Sequence, residues 1–499
     1  MYIANLICGA IGCVLLAIVQ IYIYQLNHYI VPDQLKWLWK KKDRLWPFAI
    51  LFAIALVVAI CKIYFLFGGF ALLIVGASSF VIQPSALKYT ARAIRLIVAT
   101  LLLQGLIFCL WKTNINISLS IVGAVTFLLI ILADYINKPI DLIQRNYFIN
   151  DAKKILASAS DLTVIGITGS CGKTSMKYYL NTILSTKFNV LMTPGSCNTP
   201  LGIVRIIRER LKADHEIFIC EMGARRCGEI KEICDIVKPK HGIVTAVAGQ
   251  HLETFGSLEN IRKTKYELLN SLPCDGYGFV NGDSNPVKEE LPKINGELFV
   301  YGSSSDSSFV ITDLTLNPCV TFKLNGVEFR TKLLGAHNAL NVAGAVAIAI
   351  KLGMSIEECA KAAALITGVS KRLELKESLE ATVIDDAFNS NPEGSIGALE
   401  ALSRFDGCRI LVTPGMFELG NKQYEFNYNF GKKAATVCET IILMGINSKA
   451  IADGAVSAGF SQEKIIILDN LEEAKSAALN YKDDRHKIIL FENSLPDHC

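Results

Sequence analysis

The chain has 499 residues, a formal net charge of only +4 and a hydrophobic content of 51%. That length exceeds one ordinary hydrophobic core, so two or three domains are expected. The near-balanced charge, with no basic stripe interleaved with aromatics, speaks against nucleic acid as a partner. The 15 cysteines include no CxxC pair and no Cys/His spacing suited to zinc, and read as reduced thiols of a chain facing the cytosol.

The hydrophobic excess lies almost wholly before residue 140. Residues 2–23 are nearly all apolar, long enough at ~1.5 Å per residue to cross a hydrocarbon core of ~30 Å. No basic region precedes them and further apolar runs follow, which disfavours a cleaved signal. The basic loop Lys36-Trp37-Leu38-Trp39-Lys40-Lys41-Lys42-Asp43-Arg44 suits the cytoplasmic end of a span. Residues 46–82 break near Lys62 and Gly68-Gly69 into two spans and return the chain to Lys88, Arg92 and Arg95. Residues 94–111 and 117–136 supply two more, making about five spans and placing everything after Asn137 in the cytoplasm. Core helices of a soluble domain are the alternative, disfavoured by the length and density of the apolar runs. The expected localisation is therefore a cytoplasmic membrane, multi-pass, with the catalytic domains inside the cell.

A charged helical connector (residues 150–160) leads to Leu162-Thr163-Val164-Ile165-Gly166-Ile167-Thr168, read as a buried parallel strand. The strand runs into Gly169-Ser170-Cys171-Gly172-Lys173-Thr174-Ser175. Here the glycines turn backbone N–H groups toward a phosphate and Lys173 supplies a point charge for the β and γ phosphates. Thr174 can ligate magnesium, and a helix over 176–184 favours anions at its N-terminus. The pattern is GxxGKT, shorter than the usual GxxxxGKT. Its place between strand and helix is what makes it an ATP site.

Further segments follow in order. Thr193-Pro194-Gly195-Ser196-Cys197-Asn198-Thr199-Pro200-Leu201-Gly202 is a polar loop with Asn198 at its centre, and Glu221 ends the strand Ile217-Phe218-Ile219-Cys220. Then come His251-Leu252-Glu253-Thr254-Phe255-Gly256-Ser257, Lys263-Thr264-Lys265-Tyr266-Glu267, Asn281-Gly282-Asp283 and Leu334-Gly335-Ala336-His337-Asn338-Ala339-Leu340-Asn341. Last are Lys371-Arg372-Leu373-Glu374 and Thr382-Val383-Ile384-Asp385-Asp386-Ala387-Phe388-Asn389-Ser390-Asn391-Pro392. In this company the chain from the phosphate loop onward resembles the Mur ligase family. Its final segment is similar to the branch that adds D-alanyl-D-alanine to a muramyl tripeptide, with Phe388 where a tyrosine is usual.

The resemblance implies ATP and Mg2+ as cofactors, and roles for named residues. Thr174, Glu221, His251 and Lys265 would hold one or two magnesium ions, with Lys265 carbamylated into a carboxylate-like ligand. Asn198 would lie near the transferred phosphate, Asn281 and Asn338 at the adenine, Arg372 at the phosphates and Asp386 on the nucleotide side. Read alone, His251 is a loop histidine, Lys265 a solvated helix residue and Asn338 a helix cap; the order of the series favours the functional roles.

The expected organisation is a membrane domain (1–140), a central P-loop parallel-sheet α/β domain (141–370) and a C-terminal Rossmann-like α/β domain (371–499). Thr413-Pro414-Gly415-Met416-Phe417-Glu418-Leu419-Gly420, at a strand's carboxyl end, is a candidate amine-facing loop or a structural one. The expected activity is ATP-dependent carboxylate–amine ligation. The acceptor would be lipid-linked or membrane-proximal, a glycan or growing polymer, because membrane spans stand where the soluble ligases carry a UDP-sugar-binding domain. The amine would be an amino acid or short peptide, and other envelope-biosynthesis proteins are expected partners. A membrane poly-γ-glutamate-type synthetase and an ATPase-coupled export component are the rivals.

Overall fold

The computed structural model describes residues 2–26, 29–32, 34–35, 87–110, 115–248, 255–388, 392–417 and 419–493. They form two compact units, Met1–Tyr147 and Phe148–Cys499. The basic loop at 36–44 and the two spans expected within 46–82 lie outside the described residues.

In the first unit, α1 (Tyr2–Leu26) and α2 (Ala91–Leu110) precede the long helix α3 (Ile115–Ser158). Among the described residues, two helical stretches are long and apolar enough to cross a membrane, Ile7–Leu26 and Ala91–Leu110. Helix α2 is two-sided. Ala93, Leu96, Thr100 and Gln104 are buried, whereas Ile94, Val98, Leu102, Leu106 and Leu110 form an exposed stripe at a spacing of four, one face of a 3.6-residue helix. The buried polar groups are satisfied inside: Gln104 donates to Thr126 Oγ1 at 3.0 Å, and Thr126 to the Val122 carbonyl at 2.8 Å. At one end of α2 charges gather. Arg92 meets Asp134 and Asp141, each at 3.1 Å, Arg95 meets Asp141 at 2.6 Å, and the Tyr24 hydroxyl donates to Asp134 at 3.0 Å.

Hydropathy places a span end, and a domain boundary, near residue 140. Helix α3 nevertheless runs on to Ser158 with Pro139 inside it. A change from apolar to charged residues alters which solvent a helix prefers without ending the helix. Termination needs a cap or a run of breakers, and residues 134–150 hold one proline and no glycine. The expected connector at 150–160 is thus the last turns of α3. Its Ile149 and Ala152 belong to the second unit's core, and Asp151 pairs with Arg208 at 2.5 Å.

The second unit holds two sheets. The first has nine strands in the order β2-β3-β1-β4-β5-β6-β7-β8-β9. Its members are β1 (Thr163–Thr168), β2 (Val190–Met192), β3 (Ile217–Glu221), β4 (His241–Val244), β5 (Tyr277–Asn281), β6 (Glu297–Gly302), β7 (Phe309–Leu316), β8 (Val320–Leu324) and β9 (Val327–Arg330). Pairing is parallel through β7 and antiparallel from β7 to β9. The expected parallel sheet is extended at this edge by an antiparallel addition, where short β-rich runs joined by Asn325-Gly326 form a hairpin. Strand residues alternate between two cores. Ile165 and Ile167 join one with Met176, Tyr179, Phe279 and Val346, while Val164 joins the other with Phe218, Ile207 and Ile233. Helices α4 (Lys173–Leu184), α5 (Pro200–Arg210), α6 (Glu229–Val237), α7 (Leu258–Asn270), α8 (Asn285–Glu289), α9 (His337–Lys351) and α10 (Ile356–Ala363) complete this domain.

The second sheet runs β10-β11-β15-β12-β13-β14. It comprises β10 (Glu374–Glu377), β11 (Ala381–Asp386), β12 (Cys408–Thr413), β13 (Thr440–Met444), β14 (Ile465–Leu468) and β15 (Lys487–Glu492). Only β10 is antiparallel. Helices α11 (Pro392–Leu402), α12 (Gln423–Ala435), α13 (Ser448–Ser457) and α14 (Leu471–Leu479) intervene, which gives the expected Rossmann-like layering.

Candidate active site

Four adjacent parallel strands, β3, β1, β4 and β5, bring their carboxyl ends together, where open α/β sheets bind ligands. The register pairs Ile167 with Glu221 and Thr168 with Val244. The phosphate loop, Glu221, the segment after β4 and Asn281 therefore share one edge.

The loop has the shape its glycines allow. Gly169 has φ +152°, and a Cβ there would lie 2.1 Å from Thr245 Oγ1; Gly172, at φ +81°, would press a Cβ to 2.7 Å from Asn341 Oδ1. No side chain other than hydrogen fits either place. Ser170 N–H donates to the Ala246 carbonyl at 2.7 Å, and Ser170 Oγ accepts from Ala248 N–H at 3.0 Å. Thr245 donates to the Cys171 carbonyl. Helix α4 opens at Lys173, earlier than expected, with Gly172 as its N-cap and no side-chain cap. Its first N–H groups are thus left for an anion, and Ser175 is buried in its first turn.

Lys173 folds back over its own loop, donating to the Gly169 and Ser170 carbonyls at 2.7 and 3.0 Å. Burial lowers its pKa, opposed by the Glu221 charge. Glu221 is the hub. Its Oε1 accepts from Thr174 Oγ1 at 3.3 Å and Asn198 Nδ2 at 3.2 Å, and its Oε2 from Lys177 Nζ at 2.8 Å. Lys177 escaped the sequence reading. Its only sequence signal is a position one helical turn beyond Lys173, on the face that α4 turns to the sheet.

Lys265 on α7 is buried, its ammonium 6.0 Å from the Phe255 ring centre. Burial, reinforced by the Lys173 charge, pushes its pKa down to about 7. It is not the solvated helix lysine that its local sequence suggests. His251 lies outside the described residues, which stop on its near side at Ala248, bonded to the phosphate loop.

The two asparagines differ. Asn281 Oδ1 accepts from Asp283 N–H at 2.9 Å, a local turn, leaving its amide nitrogen without a partner among the described residues. Asn338 is built in: Oδ1 accepts from Tyr179 at 3.0 Å and Asn341 at 3.3 Å, while Nδ2 donates to the Leu334 carbonyl at 2.8 Å. One of its amide hydrogens has no bond among the described residues. It does not cap α9, whose N-cap is Ala336.

At the junction of the two domains Arg372 sits between two left-handed residues, Lys371 (φ 60°) and Leu373 (φ 52°). Its guanidinium lies 4.3 Å from the Phe388 ring centre, a cation–π contact. Burial lowers its pKa, with the Glu221 and Asp386 carboxylates acting against that. Asp386 Oδ1 accepts from Leu373 N–H at 3.0 Å and so holds the junction.

Burial and then the Glu492 charge push the Asp386 pKa up to about 7. Glu492 is its register partner on β15, buried under bonds from Ser395 at 2.7 Å and Thr413 at 2.6 Å. The stabilisation linked to the Asp386 proton is complete below about pH 4 and lost as pH rises through about 7. Asp386→Asn keeps the acceptor for Leu373 without the titration. Urea unfolding is expected to find it more stable than the parent at pH 8 by up to about 4 kcal/mol, with the gap narrowing as pH falls and closing near pH 4.

Thr413-Pro414-Gly415-Met416 is fastened by amides. Asn427 accepts from Met416 N–H at 2.8 Å and donates to the Met416 carbonyl at 3.0 Å. Asn447 donates to the Pro414 and Met416 carbonyls at 3.2 and 3.1 Å, and Asn493 to the Gly415 carbonyl at 2.7 Å. Glu418 lies outside the described residues.

Among the described residues, no three His, Cys, Asp or Glu side chains form a ready metal cage. Magnesium does not need one, since it keeps waters and takes one or two protein ligands beside substrate phosphates. Thr174 Oγ1 and Glu221 Oε1, 3.3 Å apart, are spaced close to the ~3 Å edge of an octahedron with ~2.1 Å bonds. The donor set fits magnesium.

Residues 167–349 match the Mur ligase middle domain, and residues 371–492 the Mur ligase glutamate ligase domain. Both domains belong to the Mur ligase family. This Mur ligase is accordingly an ATP-dependent C–N ligase. It is 28% identical over 340 residues to the UDP-N-acetylmuramoyl-tripeptide–D-alanyl-D-alanine ligase of Bacillus subtilis, covering 66% of this chain and 73% of the relative. It superposes on the MurF ligase of Thermotoga maritima in complex with ADP with TM-score 0.60 and 27% identity, covering 70% of this chain and 80% of that one. For a crystal structure of MurF from Acinetobacter baumannii the TM-score is 0.65 at 25% identity, over 70% and 78%.

Proposed function

We propose that this Mur ligase joins the carboxylate of a muramyl-peptide-type acceptor, lipid-linked or otherwise held near a membrane, to the amine of an amino acid or short peptide. It does so in cell-envelope biosynthesis, at the cytoplasmic face of a membrane that its N-terminal helices cross. The observation that carries the ligase reading is the shared edge where Lys173, Thr174, Glu221, Lys265 and Arg372 surround the phosphate loop.

ATP gives its γ-phosphoryl group to a carboxylate oxygen of the acceptor and ADP departs. The amine then attacks the acyl carbon, phosphate leaves, and the amine's proton passes to solvent. Positioning and charge neutralisation carry most of the catalysis. The phosphate-loop N–H groups and Lys173 hold the β and γ phosphates, Asn198 lies beside Glu221, and Arg372 reaches the phosphates from the domain junction. Asn281 and the remaining N–H of Asn338 face the adenine, and Asp386 fixes the Arg372 segment on the nucleotide side. Thr174, Glu221, His251 and Lys265 as a carbamate would hold one or two magnesium ions, whose charge would screen the phosphates. A lysine with pKa about 7 has a large neutral fraction near neutral pH, the form that adds to carbon dioxide with loss of a proton. The rim at Thr413–Met416 receives the amine.

The apolar stripe of α2 supports membrane placement, since 20 residues at ~1.5 Å each reach ~30 Å. The Arg92, Arg95, Asp134 and Asp141 cluster fits the aqueous end of that span. The acceptor is inferred from the relatives' substrate and from this membrane segment together.

The test uses full-length protein in detergent micelles with Mg2+, ATP, D-alanyl-D-alanine and either UDP-linked or lipid-linked muramyl tripeptide. Release of ADP and phosphate in step with an amide product by mass spectrometry is expected, favouring the lipid-linked acceptor. ATP hydrolysis without amide formation on both acceptors points to the export reading instead and overturns the proposal.

A further inference from the structure

The pairing of Lys177 with Glu221 is the most thoroughly buried ion pair among the described residues, with side-chain exposures of 0% and 1%. Nothing in the reaction above uses the lysine. It lies one turn after Lys173 on α4 and spans to the end of β3. Its ammonium donates to Glu221 Oε2 at 2.8 Å and to the Gly195 carbonyl in the loop that carries Asn198. The other oxygen, Oε1, faces Thr174 and Asn198 at 3.3 and 3.2 Å, and the backbone N–H of Glu221 donates to Thr193 Oγ1 at 3.1 Å. The carboxylate is thus held with one oxygen toward the phosphate loop and the other committed to an internal cation.

We propose that Lys177 is a positioning residue that makes Glu221 a one-oxygen metal ligand and thereby selects magnesium over larger divalent cations for nucleotide binding. This rests on the reading of Thr174 and Glu221 as the magnesium ligands. Magnesium accepts single carboxylate oxygens at ~2.1 Å in a strict octahedron, whereas calcium takes more oxygens at ~2.3–2.6 Å and welcomes both oxygens of one carboxylate. With Oε2 bound to an ammonium, the two-oxygen mode that suits calcium is closed. The same bond ties the Gly195 loop to the carboxylate, so charge and loop position are set by one side chain.

Binding of N-methylanthraniloyl-ATP to the full-length protein, titrated with Mg2+ or Ca2+ as the only divalent cation, reads the effect without amide formation. The parent is expected to bind more tightly with Mg2+. Lys177→Met and Lys177→Gln are each expected to raise the ratio of Ca2+-supported to Mg2+-supported affinity at least about tenfold, and Lys177→Arg to restore most of the Mg2+ preference. In the absence of nucleotide, Mg2+ is expected to raise the melting midpoint of Lys177→Met more than that of the parent, because a cation replaces the missing charge. If Lys177→Met does not fold, Lys177→Met/Glu221→Gln removes both charges and is expected to bind nucleotide without preference between the cations. A parent-like cation ratio in whichever of Lys177→Met, Lys177→Gln and the double variant folds overturns the proposal, as does loss of binding with both cations in one of these that melts like the parent. Failure of the ligase reading would appear only in the amide assay, with nucleotide binding and its cation preference intact.

Discussion

Replacing Lys173 by alanine is expected to lower the turnover number for ADP release about 1,000-fold while leaving the two sheets folded. The size follows from removing a charge aimed at a transferring phosphoryl group inside a partly water-excluded site, worth about 4 kcal/mol of transition-state stabilisation. The lysine also donates to the Gly169 and Ser170 carbonyls at 2.7 and 3.0 Å, so its loss should cost stability too. Gly169 and Ser170 are themselves buried, so carbonyls left without this donor cost about 1–3 kcal/mol. Steady-state kinetics with the amide product as readout, beside thermal melting of the same preparation, separates the two effects. A fall of less than tenfold in turnover would remove Lys173 from the phosphate site.

Lys265→Ala should lose turnover by about 100-fold or more, and short carboxylic acids such as acetate should return part of it. The reasoning begins from burial. A lysine whose pKa is pushed down to about 7 by burial and the Lys173 charge gains nothing electrostatic from being an ammonium there. As a carbamate it would offer the metal an anionic oxygen, a role that a small carboxylate diffusing into the alanine-lined space can copy. Parent activity is expected to rise with added bicarbonate and to fall below pH 7, where the amine is protonated and carbamate formation is suppressed. Unchanged activity in Lys265→Ala, or a loss that no carboxylate relieves, would assign the residue a structural role.

The parts of the site legible in the sequence were those in which local pattern and chemistry coincide. The phosphate loop is contiguous, and its glycines stand where the backbone is left-handed or crowded. Glu221 closes an apolar run, so its place at a strand's carboxyl end could be read directly. Lys177 could not be read in this way, because its meaning lies in a partner 44 positions later and a helix lysine looks solvated until the packing is known. Asn338 was legible only in part: its sequence context suits capping or base recognition, and the structure bonds its side chain to Tyr179, Asn341 and the Leu334 carbonyl. The course of α3 was misjudged for a different reason. Hydropathy reports solvent preference, and a helix can change solvent without changing its backbone. The antiparallel edge β7 to β9 was missed although Asn325-Gly326 between two short strand runs is a hairpin signal, because the parallel strands upstream set the expectation for the whole sheet.

The loop fastened by Asn427, Asn447 and Asn493 bears on how the incoming amine would be chosen. A rim whose carbonyls are already anchored to buried amides loses little chain entropy when something settles on it. With the amine on this rim, as proposed, binding energy would be available for discrimination between amines and not for shaping the surface. Amines differing by one methyl group would then be separated by steric fit within a rigid outline, so that substrate range is narrow and changes in steps when a rim residue is exchanged. Hydrogen exchange at Gly415 and Met416 would accordingly be slow before any ligand arrives, and little slower afterwards.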